Sequence, residues 1–145
     1  ADISEKPIVY REASAVGEIH LRPETVELIR RGEIEKGDPV QIATLAGIQG
    51  AKLTPMLMPL CHPLQIENVE VKIELNESGA RVWSRVVSRG KTGVEMEALT
   101  ATVAALLNIW DVVKKYEKDE NGQYPYTKIS GIRVETKVKG KIGDT

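Results

Sequence analysis

The chain reads as an α+β sandwich, one antiparallel sheet covered by helices on one face. Short strands and helices alternate early in the chain, a hairpin pattern fills its middle, and one long amphipathic helix precedes a final strand. With 145 residues and no repeat, low-complexity run or Gly/Ser linker, a single domain over 1–145 is expected.

Ile8 to Tyr10 and Glu18 to Leu21 read as two short strands around Gly17, forming an edge or a hairpin. Pro23 to Gly32 has proline first, acids early, arginines late and glycine past the end, which predicts a short helix. Lys36-Gly37-Asp38-Pro39 is a turn, and Val40 to Lys52 predicts a second helix weakened by Gly47 and Gly50. Two prolines then stiffen the loop Met58-Pro59-Leu60-Cys61-His62-Pro63. Leu64 to Leu75 alternates as a strand with a bulge near Asn68, and Asn76 to Gly79 turns it into a partner strand, Ala80 to Ser88.

Thr92-Gly93-Val94-Glu95 has capping-box spacing and opens a helix running to about Glu117. Met96, Leu99, Val103, Leu106, Leu107, Trp110 and Val113 recur at helical spacing and predict its core stripe. Ile132, Val134, Thr136 and Val138 alternate as a closing strand, and 139–145 reads as a flexible tail. This order fits a ferredoxin-like arrangement best.

Composition narrows the function classes. A net charge of −1 removes the whole-molecule case for nucleic acid, and 4% aromatic content with no Phe leaves little to stack single-stranded bases. No run of apolar residues reads as membrane-spanning, and the start shows no signal-like core. The lone Cys61 fits a reducing compartment, so a cytoplasmic location is expected.

Three sets of residues carry chemistry. On the long helix stand Glu95, Glu97, Asp111 and Lys114. Glu97 and Asp111 are 14 positions apart, so they point to similar sides about 21 Å apart along the axis. One small substrate reaches both only if two helices pack antiparallel in a symmetric dimer. The plainer reading makes Glu95 and Glu97 helix N-terminal acids and Asp111 with Lys114 a local ion pair.

In the second set, His62 suits proton transfer or phosphate binding, and equally a structural loop role. Cys61 lacks the partners for a zinc site, since His20 is the only other histidine, and reads best as a small buried hydrophobe. The third set is basic: Arg11, Lys36, Lys52, Lys91 and Lys114, with Lys91 placed to draw an anion to the long helix's positive end. No phosphate-loop spacing occurs.

Lys36-Gly37-Asp38, Ala46-Gly47-Ile48-Gln49 with Ala51-Lys52, Pro59 to Pro63, Lys91 to Thr100, and Ile109-Trp110-Asp111 with Lys114 together resemble the cyclic pyranopterin monophosphate synthase family. The resemblance extends to Asp2-Ile3-Ser4 and Arg11-Glu12-Ala13, and so over nearly the whole chain. It implies a lyase of molybdenum cofactor biosynthesis that converts (8S)-3',8-cyclo-7,8-dihydroguanosine 5'-triphosphate to cyclic pyranopterin monophosphate, releasing pyrophosphate. It also implies a ferredoxin-like subunit, a homohexamer built as a trimer of dimers, and active sites where two subunits meet.

Carried over by motif, Asp111 is the catalytic acid/base with Lys36, Lys52 and Lys114 beside it. Leu60, Cys61, His62, Glu95, Met96 and Glu97 form the substrate pocket, and Arg11 contacts phosphate. A depressed pKa at Lys52 or Lys114, caused by neighbouring cations, would make either a base. No metal site or cofactor is implied, apart from Mg2+ travelling with the triphosphate. Gly50, Leu53 and Met56 depart from the family pattern, which usually has an alanine, a basic residue and an acid there. A non-catalytic nucleotide-binding module and a purely structural oligomerisation domain are the competing classes.

Overall fold

The computed structural model describes residues 2–140. Four strands, β1 (Val9–His20), β2 (Ile66–Asn76), β3 (Gly79–Gly90) and β4 (Lys128–Gly140), form one sheet in the order β2-β3-β1-β4. Every neighbouring pair is antiparallel. The helices are α1 (Pro23–Arg30), α2 (Pro39–Lys52), α3 (Thr54–Leu57) and α4 (Glu95–Glu117). This is the expected α+β architecture, in the strand order of the split βαβ arrangement.

The start of the chain differs from its sequence reading. Val9–His20 is one continuous twelve-residue strand in the centre of the sheet, where an edge or hairpin broken at Gly17 was expected. Gly17 serves a close approach and not a turn: a Cβ there would lie 2.8 Å from the Leu106 side chain on α4. The hairpin of β2 and β3 agrees with the expectation, including a register shift between Ile66 and Asn68. Gly79, at φ +144°, opens the return strand.

Helix starts follow local chemistry at α2 and depart from it at α4. Asp38 caps α2, its carboxylate accepting from the N–H groups of Val40 at 3.0 Å and Gln41 at 3.4 Å, with Pro39 at the first helical position. The expected Thr92 capping box does not form. Val94 precedes α4 without a side-chain cap, and the Glu95 carboxylate pairs with Lys137 of β4 at 3.2 Å.

The buried stripe of α4 is also displaced from the predicted one. Ala98, Ala101, Thr102, Ala105, Leu106, Ile109, Val112 and Val113 face inward, whereas Met96 and Leu107 are exposed. The sheet beneath offers small residues: Ala13 and Ala15 on β1, Ala80 and Ser84 on β3. Ser84 Oγ lies 2.7 Å from both the Ala98 carbonyl and Thr102 Oγ1, so the N-terminal half of the helix sits close to the sheet. By length and composition α4 could cross a membrane; here it packs on the sheet and α2.

A cluster of Ile19, Leu21, Val26, Ile29, Val82, Leu106, Ile109 and Val113 sits toward the C-terminal half of α4. A second, smaller one of Ala13, Ala15, Ala51, Val86, Val94, Ala98 and Ala101 lies at the other end. Burying Leu106 or Ile109 fully contributes about 1.5–3 kcal/mol each. The uncovered face of the sheet is laced with charge: Arg85 meets Glu12 at 2.6 Å and Glu70 at 3.0 Å, and Trp83 donates to Glu135 at 3.0 Å.

Glu117 locks the far end of α4. Its carboxyl, 0% exposed, accepts from the Arg22 N–H at the head of α1, from the Thr25 hydroxyl, and from the Thr127 hydroxyl at 2.6 Å. Three segments distant in sequence are thereby fixed around one side chain. Lys139 and Gly140, read as tail, are the last paired residues of β4, opposite Arg11 and Tyr10; 141–145 lie outside the described residues.

Candidate active site

Two clefts lie at opposite ends of α4. The first, about 190 Å3, is lined by Leu60, Cys61 and His62 of the proline-stiffened loop, by Thr92, Gly93, Glu95, Met96 and Glu97 of the α4 entry, and by Ile3 and Lys6. The second, about 140 Å3, is lined by Glu35, Lys36, Asp111, Lys114, Lys115 and Tyr116, among others. Each is smaller than the roughly 300–1,000 Å3 of ordinary ligand pockets, although Asp111 and Lys114 also border a wider, open cleft of about 390 Å3 with Leu107, Trp110, Tyr124 and Ile129.

The first cleft holds a buried acid. Glu97 is only 3% exposed, and burial pushes its carboxyl above the usual carboxylate range, with the neighbouring Glu95 charge adding to the rise. Glu95 folds back over the helix start, and a Cβ on Gly93 would lie 2.0 Å from its Oε1. Only glycine at 93 admits that conformation. Burial likewise raises the Cys61 thiol, with the Glu97 charge second, which makes it a poor nucleophile.

The second cleft holds an exposed acid. Asp111 lies 3.0 Å from Lys114 and 3.7 Å from Lys36. The Lys114 hydrogen bond and charge, then the Lys36 charge, hold its carboxyl below the usual range. Lys36 reaches this place from the turn before α2, so residues 75 positions apart share one carboxylate.

A sequence model described as the MoaC family matches residues 1–140. The chain belongs to this family. Curated relatives agree over almost the whole length. A protein of Sulfurisphaera tokodaii is 61% identical over 138 residues, 95% of this chain and 91% of the relative. One of Sulfolobus acidocaldarius is 57% identical over 95% of this chain and 96% of its own, and one of Pyrococcus abyssi 51% over 95% and 87%. All three are named "Probable cyclic pyranopterin monophosphate synthase".

In this MoaC-family chain the structure groups most of the predicted site residues but divides them. Leu60, Cys61, His62, Glu95, Met96 and Glu97 meet in the first cleft; Lys36, Asp111 and Lys114 meet in the second. Lys52 and Arg11 line neither. Lys52 is exposed at the end of α2, and Arg11 is buried in β1 with its Nε donating to the Gly90 carbonyl at 3.4 Å.

Lys114 also corrects an expectation. Its ammonium pKa is raised by the hydrogen bond and charge of Asp111, the direction opposite to the depression expected from neighbouring cations. Lys91, expected to draw an anion, donates to the Ser4 carbonyl at 3.4 Å and ties down the N-terminal segment that carries Ile3 and Lys6. The departures at Leu53 and Met56 are exposed and line neither cleft. Gly50 permits the α2 and α4 crossing, where a Cβ would lie 2.8 Å from that of Ala104.

Sequence reasoning missed Ile3 and Lys6 at the first cleft and Glu35, Lys115 and Tyr116 at the second. A tyrosine and a lysine in the last turn of an amphipathic helix carry no signal of their own. Among the described residues no cluster of three or more His, Cys, Asp or Glu side chains is arranged to hold a metal ion.

Proposed function

We propose that the chain is a cyclic pyranopterin monophosphate synthase of molybdenum cofactor biosynthesis. It is a lyase that takes (8S)-3',8-cyclo-7,8-dihydroguanosine 5'-triphosphate to cyclic pyranopterin monophosphate and pyrophosphate. Membership of the MoaC family supports this, and so do the names of its relatives. Of the geometry, one observation carries the reading: the motif residues fall into clefts at the two ends of α4, none of which brings Glu97 and Asp111 together.

Two copies packed with their α4 helices antiparallel would join the Glu97 cleft of one to the Asp111 cleft of the other, making a pocket of nucleotide size. Three such dimers make the hexamer of this proposal. The roles then follow from charge state. Asp111 accepts a proton as the purine-derived ring opens and the pterin closes, once the triphosphate draws away Lys114 and Lys36, whose pairing otherwise lowers its basicity. Glu97, whose burial favours the protonated form, donates one, with His62 beside it.

Closing the cyclic phosphate joins a sugar-derived oxygen to the α-phosphorus while the bond to the leaving pyrophosphate breaks. Lys36 and Lys114 neutralise the charge that develops, and Lys52, exposed at the end of α2, reaches the triphosphate only through the assembled oligomer. Leu60, Cys61, Glu95 and Met96 shape the base-binding end. Mg2+ enters only with the triphosphate, and the cytoplasm is the compartment that fits a single unbridged cysteine.

Incubation with the cyclised dihydro-GTP, followed by assay for pterin product and pyrophosphate, tests the reading. Stoichiometric formation of both is expected. Binding without turnover would leave a nucleotide-binding module in its place, and absence of any thermal shift with triphosphate or pyrophosphate would leave a structural oligomerisation domain.

A further inference from the structure

Lys36 stands on a short turn, its ammonium is half exposed, and its ion pair with Asp111 is 3.7 Å long. An exposed pair of that length contributes too little to hold a turn in one place. Something else must set the position of Lys36. The residue before it supplies the answer, because Glu35 is tied twice to the last turn of α4: its N–H donates to the Tyr116 hydroxyl at 2.9 Å, and its carboxylate pairs with Lys115.

Tyr116 is suited to be an anchor. Its ring packs against the main core cluster, so the hydroxyl is fixed from the inside, five positions past Asp111 on the same helix. Buried Ile34 pins the other side of the turn, and Gly37, at φ +134°, lets the chain reverse into the Asp38 cap of α2. The cation and the carboxylate it serves are thereby referred to one rigid element.

We propose that Tyr116 is a positioning residue: by accepting the Glu35 N–H it holds Lys36 within reach of Asp111, with the Lys115 and Glu35 pair as a secondary tie. This rests on the reading of Lys36 and Asp111 as parts of the active site. Tyr116 itself touches no reacting atom. Its effect passes through Lys36, and a misplacement of about 1 Å in a binding cation is enough to cost a large part of the rate.

The test is a double-mutant cycle in the intact oligomer, with Tyr116→Phe, Lys36→Ala and the two combined. Tyr116→Phe keeps the ring and deletes the acceptor. It is expected to lower kcat/KM about tenfold, to abolish hydrogen-exchange protection of the Glu35 amide, and to add nothing in the Lys36→Ala background. Were Tyr116→Phe also to lower stability, the cycle would still decide, because a general loss adds to that of Lys36→Ala. Additive losses overturn the inference, as does full activity of Tyr116→Phe beside an impaired Lys36→Ala. Full activity of Lys36→Ala would overturn the reading of the site and this inference with it.

Discussion

The two ends of α4 each present a carboxylate to a cleft, and the protein treats them oppositely. Glu97 is buried against the proline-stiffened loop and lifted toward its neutral form. Asp111, its side chain 58% exposed between two ammonium groups, is pressed toward its charged form. One helix thus carries two carboxylates of opposite tendency, set apart by desolvation at one end and by partners at the other. Glu117, six residues beyond Asp111, is a third case: fully buried but surrounded by donors, so it serves structure.

If this contrast is right, removing the charged carboxylate has the largest effect. Asp111→Asn should lower turnover by about 10²–10⁴-fold with folding intact, read from pterin formation and size-exclusion elution. An active Asp111→Asn breaks the assignment of the base. Glu117→Ala should act the other way, leaving the Arg22 N–H and two threonine hydroxyls unpaired in the interior. A loss of about 3 kcal/mol or more is expected in urea unfolding.

Glu97 sharpens the contrast through pH. Its folded pKa is raised, so the stability attached to it is full below the ordinary value of 4.5 and is lost as pH rises through the folded value. The urea midpoint of wild type should therefore fall over that window relative to Glu97→Gln. Asp111 has the opposite sign: its contribution is present above 3.8 and is lost as pH falls through its depressed value. Because that group is exposed, the effect should be small and shrink further with salt. Parallel pH profiles for Glu97→Gln and wild type would remove the distinction.

Much of this was legible in the sequence because it depends on local periodicity and short motifs. The β2 and β3 hairpin with its bulge near Asn68 and the helix over Val40 to Lys52, which starts at Pro39, are of this kind, whereas the grouping of Cys61 and His62 with Glu97 came only from the family resemblance. What could not be read depends on pairs distant in the chain. Gly17 reads as a break and is in fact a place where the Leu106 and Thr102 side chains of α4 close on β1 and leave no room for a Cβ. Thr92 and Glu95 have cap spacing, but Lys137 of β4 claims the Glu95 carboxylate. The core stripe of α4 was right at Leu106 and Val113 and misplaced toward the helix start, where small residues on both partners let the helix settle on its alanines. At the site, the Lys114 ammonium gained an anionic partner where cations were anticipated, which reversed the sign of its shift.

The claim on which everything turns is that Glu97 and Asp111 work on one substrate from two copies of the chain. Co-expressing Asp111→Asn with Glu97→Gln, each inactive alone, tests it directly. Random pairing of the two variants should restore about a quarter of the wild-type sites, since half of the dimers are mixed and one of the two sites in each carries both native carboxylates. Recovery near that level is the predicted result; mixed oligomers as inactive as the parents would contradict it.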